Sequence, residues 1–99
     1  MSQASDDPVR RERELAWVGD AVLGLFAREW ILRTYGRMDS EWFAGMTSNQ
    51  FLSCFGNPTA VEAKIGKLYQ EAGIQAAFDH MEREFVPLFL KQQRNRDRK

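Results

Sequence analysis

From Val9 to Tyr35 the chain carries no proline, and its apolar residues fall at the spacing of one long α-helix. Leu15, Val18, Val22, Leu25 and Phe26 recur at the helical period, and Gly36 stands where a left-handed stop is wanted. A second apolar set, Trp17, Ala21, Leu23, Trp30 and Ile31, lies partly off that stripe, so the helix needs cover on more than one side. The whole chain has 99 residues, and a domain of that size buries only about two-thirds of its unfolded surface. The economical source of a second cover is another copy of the molecule. The pattern therefore predicts a homodimer whose two-fold axis passes near this helix, with Trp17 and the Val22 to Phe26 region as contacts.

The remaining segments also read as helices. Residues 1–8 are polar and end in Pro8, which predicts a flexible arm. Asp39 or Ser40 caps a stretch from Glu41 to Phe55, which Gly45 and the run Thr47-Ser48-Asn49 can bend or split. Gly56-Asn57-Pro58 gives a stop, an N-cap and a first-turn proline in succession. A third helix runs from Pro58 to Ala72, with Val61, Ile65, Leu68 and Ala72 on one stripe, and Gly73 ends it. A last helix begins near Ile74, carries Phe78, Met81, Phe85 and Leu88 or Phe89, and should kink at Pro87. No strand alternation is evident. The predicted fold class is all-α, with four to five helices in one domain over residues 9–90 and a basic tail over 91–99.

Composition narrows the functional classes. Hydrophobic residues make up 43% of the chain and aromatics 12%, which is globular rather than disordered. The single cysteine, Cys54, excludes an internal disulfide. No apolar run approaches the roughly 20 residues of a membrane span, and none follows a basic start as in a signal peptide. These features predict a cytoplasmic protein without a membrane partner. Fourteen Lys and Arg balance fourteen Asp and Glu, so a nucleic acid would have to be held by local patches. One such patch is the tail, where Lys91, Arg94, Arg96, Arg98 and Lys99 surround Asp97. It reads either as a solvated helix end whose cations suit the C-terminal dipole or as a grip for RNA.

Two acids occupy notable positions. Asp20 lies within Trp17-Val18-Gly19-Asp20-Ala21-Val22-Leu23-Gly24, the most apolar part of the first helix. A dry, unpaired carboxylate there would cost several kcal/mol, so it must meet a cation, a donor or a wet groove. Glu62 is followed one turn later by Gly66, just as Asp20 is followed by Gly24. Two helices with that spacing can cross closely and bring both acids to one opening, where oxygen ligands and room for water suit a hard cation. The alternative pairs Asp20 with an arginine and leaves Glu62 as decoration on an early helical turn.

The same segments resemble a known family. Glu14-Leu15-Ala16-Trp17-Val18-Gly19-Asp20-Ala21-Val22-Leu23-Gly24 is similar to the signature helix of ribonuclease III, and Thr59-Ala60-Val61-Glu62-Ala63-Lys64-Ile65-Gly66-Lys67-Leu68-Tyr69 to its second motif. Met46-Thr47-Ser48-Asn49-Gln50-Phe51-Leu52 is similar to the intervening segment, and Gln70 to Ala77 to the usual continuation. Family order is kept over roughly residues 10 to 85. Two positions that usually carry site acids are Ala16 and Thr59 here. That pattern resembles the Mini-ribonuclease III branch, which keeps one acid per motif and lacks a double-stranded-RNA-binding domain. Between Phe55 and Pro58 little remains of the helix and basic loop that family members place before the second motif.

The resemblance implies a minimal, homodimeric ribonuclease III fold and metal-assisted hydrolysis of phosphodiesters in double-stranded or structured RNA. Asp20 and Glu62 would be the catalytic and metal-binding residues, with Mg²⁺ as cofactor and Mn²⁺ as a substitute. Neither a small-molecule cofactor nor a histidine or serine nucleophile is implied, which leaves His80 without a role. Lys64 and Lys67 join Lys91, Arg94, Arg96 and Arg98 as candidate RNA-binding residues. Ser48, Asn49 and Gln50 either orient metal waters or cap a bend. The shortened segment and the zero net charge favour a second outcome, a weak or inactive relative kept as an RNA-binding or ribonucleoprotein scaffold component.

Overall fold

The computed structural model describes residues 7–97, and within them the chain is helical with no strand. The elements are α1 (Pro8–Tyr35), α2 (Ser40–Thr47), α3 (Asn49–Leu52), α4 (Pro58–Ala72), α5 (Ile74–Glu84) and α6 (Val86–Asp97). Their boundaries follow local chemistry. The Asp7 side chain accepts from the backbone N–H groups of Val9 and Arg10, and Pro8 fills the first turn. At the other end Gly36, at φ 86°, returns its N–H to the Leu32 carbonyl. Asn57 caps α4 through the N–H of Ala60, and Gly73, at φ 93°, ends it.

Several expected boundaries move. Pro8 belongs to α1, so of the predicted arm only residues 1–6 remain, and they lie outside the described residues. The second stretch splits at Ser48, whose extended backbone ends α2 while its hydroxyl accepts from the Phe51 N–H to start α3. It then closes in turns over residues 53–55 and does not continue as helix to Phe55. The last helix breaks instead of kinking: Phe85 separates α5 from α6, which places Pro87 in a first turn where its missing donor costs nothing. The tail is helical through Asp97, and Arg98 lies outside the described residues.

α1 spans about 42 Å at 1.5 Å per residue, and the molecule extends 55 × 23 × 21 Å. Its first two turns, to Glu14, are wholly exposed and carry an Arg10–Glu14 pair at 3.2 Å. Beyond them Leu23, Phe26, Ala27, Trp30 and Ile31 form one wall of the core. Aromatic rings from the other helices close on that wall. Trp42 stacks on Trp30 at 5.8 Å, and Phe89 meets both tryptophans edge-on at 5.9 and 5.4 Å. Phe51 joins Phe89 and Phe85 at 6.1 and 6.0 Å, so α2, α3, α6 and the α5–α6 junction share one aromatic cluster against α1, while Phe78 of α5 meets Phe26 of α1 edge-on at 5.3 Å. Edge-to-face pairs of this kind contribute about 1 kcal/mol each beyond the area they bury.

α4 meets α1 differently, backbone to backbone. A Cβ on Gly19 would overlap the Glu62 carbonyl and sit 2.9 Å from the Gly66 nitrogen, and a Cβ on Gly66 would overlap the Leu15 carbonyl. Gly24 has no such role, because a Cβ there would meet only the terminal nitrogen of Arg28, at 3.1 Å. The close crossing expected from Gly24 and Gly66 is therefore made by Gly19 and Gly66. Gly66→Ala or Gly19→Ala should cost about 3 kcal/mol of stability, since backbone must shift to admit the methyl. Gly24→Ala should be neutral or stabilising, because the Arg28 side chain can swing aside and alanine favours helix. Urea denaturation of the three variants checks this, and equal losses at all three would refute the assigned crossing.

Candidate functional site

Gly19 immediately precedes Asp20, and Gly66 follows Glu62 by one turn. The crossing that locks α1 to α4 thus fixes the backbones from which these two acids project. Asp20 is exposed and Glu62 is half-buried. Of the openings expected for Asp20, a cation, a donor or a wet groove, it has contact with water: it lies on the outer side of α1, and the desolvated partner is Glu62. Burial raises the Glu62 pKa from an ordinary 4.5 to about 7, reinforced by a hydrogen bond to Asp20 and by its negative charge. In the protonated state Glu62 donates to Asp20, so the two carboxyl groups are within hydrogen-bonding reach.

No protein cation neutralises the pair. The ion pairs among the described residues are Arg10–Glu14 and Arg33–Glu82, neither of which involves Asp20 or Glu62. No cluster of three or more carboxylate, imidazole or thiol groups that could hold a metal forms among the described residues. The site therefore offers two oxygen donors and no third protein ligand. Two converging carboxylates with an unmet demand for positive charge suit Mg²⁺, which keeps several of its waters and is commonly bound by one or two acids plus a phosphate.

Asp20 opens onto a shallow concavity of about 530 Å³ whose other walls are mostly apolar, among them Trp17, Ala21, Leu25, Tyr69 and Ile74. Trp17 is 79% exposed and Leu25 is 44% exposed, whereas Val22, Leu23 and Phe26 are buried in the core of their own chain. Of the contacts expected between two copies, Trp17 and Leu25 are available and the other three are not.

The remaining candidates scatter. At 100° per residue Lys64 and Lys67 lie roughly 200° and 140° around α4 from Glu62, on its outer face, and both are exposed. Lys64 stands beside His80, where it adds to burial in holding the imidazole below its ordinary pKa. Ser48 is committed to capping α3, and Asn49 and Gln50 are exposed at its start. Lys91, Arg94 and Arg96 are exposed on α6, a helix whose aromatic anchors face α1, α2 and α3. Gly19 was the residue that sequence reasoning missed. The signal was its position beside the acid on the buried side of α1, which the matching acid-to-glycine spacing obscured.

Comparison of the chain with protein families, with characterised proteins and with solved structures finds no match.

The Glu62 shift has a measurable sign. Between pH 4.5 and about 7 the folded chain holds a proton that the unfolded chain has released, so this group makes stability fall as pH rises through that window. Above pH 7 the cost of the ionised pair is fully present. In buffer free of divalent cations Glu62→Gln should stabilise the protein at pH 8 by roughly 1 kcal/mol, allowing for solvent screening. It should give little change at pH 4.5. Denaturant midpoints at the two pH values test this, and an equal effect at both would remove the acid pair as the cause.

Proposed function

We propose that the chain is a metal-dependent endoribonuclease of the ribonuclease III type, acting on double-stranded or structured RNA as a homodimer. The observation that carries the reading is the adjacency of Asp20 and Glu62 at a backbone-to-backbone crossing, without a protein cation between them. A bound Mg²⁺ supplies Lewis acidity toward a phosphodiester and lowers the pKa of a coordinated water. The protein's part is to hold two carboxylates at one place and to give up the Glu62 proton when the cation enters. Binding should therefore strengthen as pH rises toward and beyond 7. No side-chain nucleophile is required, and His80 lies outside the scheme.

Asp20→Asn and Glu62→Gln should each abolish Mg²⁺-dependent cleavage of a structured duplex RNA while leaving helicity unchanged. Loss of either acid relieves repulsion within the pair, and Glu62→Gln also removes the half-buried charge. Chelation of the metal should do the same to the native chain, and Mn²⁺ should restore activity. Cleavage that survives both substitutions would remove the carboxylates from the reaction.

A second reading, an RNA-binding or ribonucleoprotein scaffold with weak or no activity, draws on two observations. The site has two acids, and Lys64 and Lys67 point away from it. The retained Mg²⁺ response of the native chain separates the two readings.

The homodimer rests on the outer face of α1. Trp17, Ala21, Leu25 and Leu32 form one exposed stripe, with a groove of about 510 Å³ at its far end between Leu32, Met38 and Phe43. Arg28 lies over the Phe43 ring in that groove, 4.3 Å from its centre. Antiparallel pairing of two α1 helices about Leu25 would seat Trp17 of each copy over this groove of the other. Trp17→Glu should convert the dimer to a monomer at micromolar concentration in sedimentation velocity. A native chain that is already monomeric there would end the dimer proposal. A location in the cytoplasm is part of the same proposal; among the described residues no helix is long and apolar enough to cross a membrane.

A further inference from the structure

α6 presents a stripe whose chemistry changes along its length. Phe89, Gln92, Gln93 and Arg96 fall at i, i+3, i+4 and i+7, so one face continues from the aromatic core into amides and a guanidinium. This polar end is not simply solvated. Gln92 and Gln93 are half-buried, facing Ser48, Gln50 and Cys54 across a groove of about 430 Å³ whose floor is Phe51 and Phe89. Gly45 deepens it, since a Cβ there would come within 3.2 Å of the Phe89 ring.

The groove is equipped for a particular chemistry. Its walls carry amide groups from Gln50, Gln92, Gln93 and Asn95, each offering both donors and an acceptor, and no carboxylate lines it. Among the described residues these amides are nearly unused: Gln92 makes a long contact to the Cys54 thiol at 3.9 Å, and the Gln93 side chain makes no hydrogen bond. Arg96 is in no ion pair among the described residues. Amides with both polarities match the edges of nucleobases, and an unpaired guanidinium matches a phosphate. A duplex stacks its bases inward and is recognised by shape, so base edges are offered to such amides by an unpaired strand.

We propose that the groove between α3 and α6 holds an unpaired RNA strand, with Arg96 on its backbone and the amides of Gln92 and Gln93 on its bases. This rests on the reading of the chain as an RNA-acting protein and adds a second surface to it. No residue lining the groove also lines the concavity beside Asp20. It also divides the basic end of α6. Arg96 faces the groove, whereas Lys91 and Arg94 lie about 140° and 160° around the helix from it.

Cys54 provides the test, because it is the single cysteine of the chain, is exposed and lines the groove. The rate at which Ellman's reagent modifies Cys54 is measured in chelating buffer, with and without saturating unstructured RNA of about ten nucleotides. The RNA should slow modification by about tenfold, and a blunt duplex of the same length should not. Arg96→Gln and Gln93→Ala should remove most of the protection without changing helicity, each variant being compared with its own rate in the absence of RNA. If the single strand binds by fluorescence anisotropy yet leaves Cys54 fully reactive, or the blunt duplex protects equally, the proposal is overturned. Absence of any single-strand binding overturns it as well. Metal-dependent cleavage of a duplex reports separately on the carboxylates, so failure of the groove and failure of the nuclease reading are distinguishable.

Discussion

The contact between Gly19 and Gly66 is the constraint on which the rest of the structure depends. Two helices normally keep their axes 8–10 Å apart because side chains stand between them. Here the Glu62 carbonyl occupies the space a Cβ on Gly19 would need, and the Leu15 carbonyl the space of one on Gly66. This mutual exclusion of side chains sets the register of α1 against α4 to within a fraction of a turn. A slip of one residue on either helix would place Asp20 or Val18, or Ile65 or Lys67, at a point that admits only glycine. The register in turn brings the acids together, since one is the immediate neighbour of a crossing glycine and the other lies one turn from its partner.

The aromatic cluster serves a different purpose from this crossing. Rings of phenylalanine and tryptophan tolerate several packings of similar energy, and they supply stability through area rather than through one obligatory geometry. Trp30, Trp42, Phe51, Phe85 and Phe89 hold α2, α3, α6 and the α5–α6 junction against the C-terminal half of α1. The two halves of α1 are thus used differently: one is packed by side chains for stability, the other by backbone for position. Asp20 lies in the half positioned by backbone, and Glu62 lies on the facing turns of α4.

Much of this was legible in the residues. The all-helical class, the stop at Gly36, the Gly56-Asn57-Pro58 boundary and the full extent of α4 follow from capping chemistry that acts over three or four residues. What could not be read was the side of α1 on which each residue ends up. Leu23, Trp30 and Ile31 looked peripheral to the apolar stripe and are buried, whereas Leu25 looked central and is 44% exposed. An α-helix with apolar residues on several faces leaves the choice to its neighbours, and their arrangement is a tertiary fact. The same ambiguity caused Gly24 to be chosen over Gly19, because a repeated spacing was available for one and only a crossing geometry for the other. The adjacency of Asp20 and Glu62 was anticipated by the motifs, but which of the two the fold desolvates was not.

The division of burial between the two acids sets the physical account of the site. A buried Asp20 on α1 would have been destabilising at every pH at which it is ionised, and the fold would have had to offset it with a fixed partner. Instead the exposed acid stays in contact with water and the half-buried one carries the penalty, which it escapes by keeping a proton up to about pH 7. Glu62 therefore adds its charge to the site only as pH rises through about 7. Under the proposed metal-dependent reading, a divalent cation would compete with the proton for the same oxygens, and its affinity would be tied to the Glu62 titration near neutrality. Among the described residues no ion pair engages Asp20 or Glu62, so the fold leaves their charge uncompensated there. With a net charge of zero over the whole sequence, attraction at this site and at the α6 groove must come from such local imbalance, not from the field of the whole molecule.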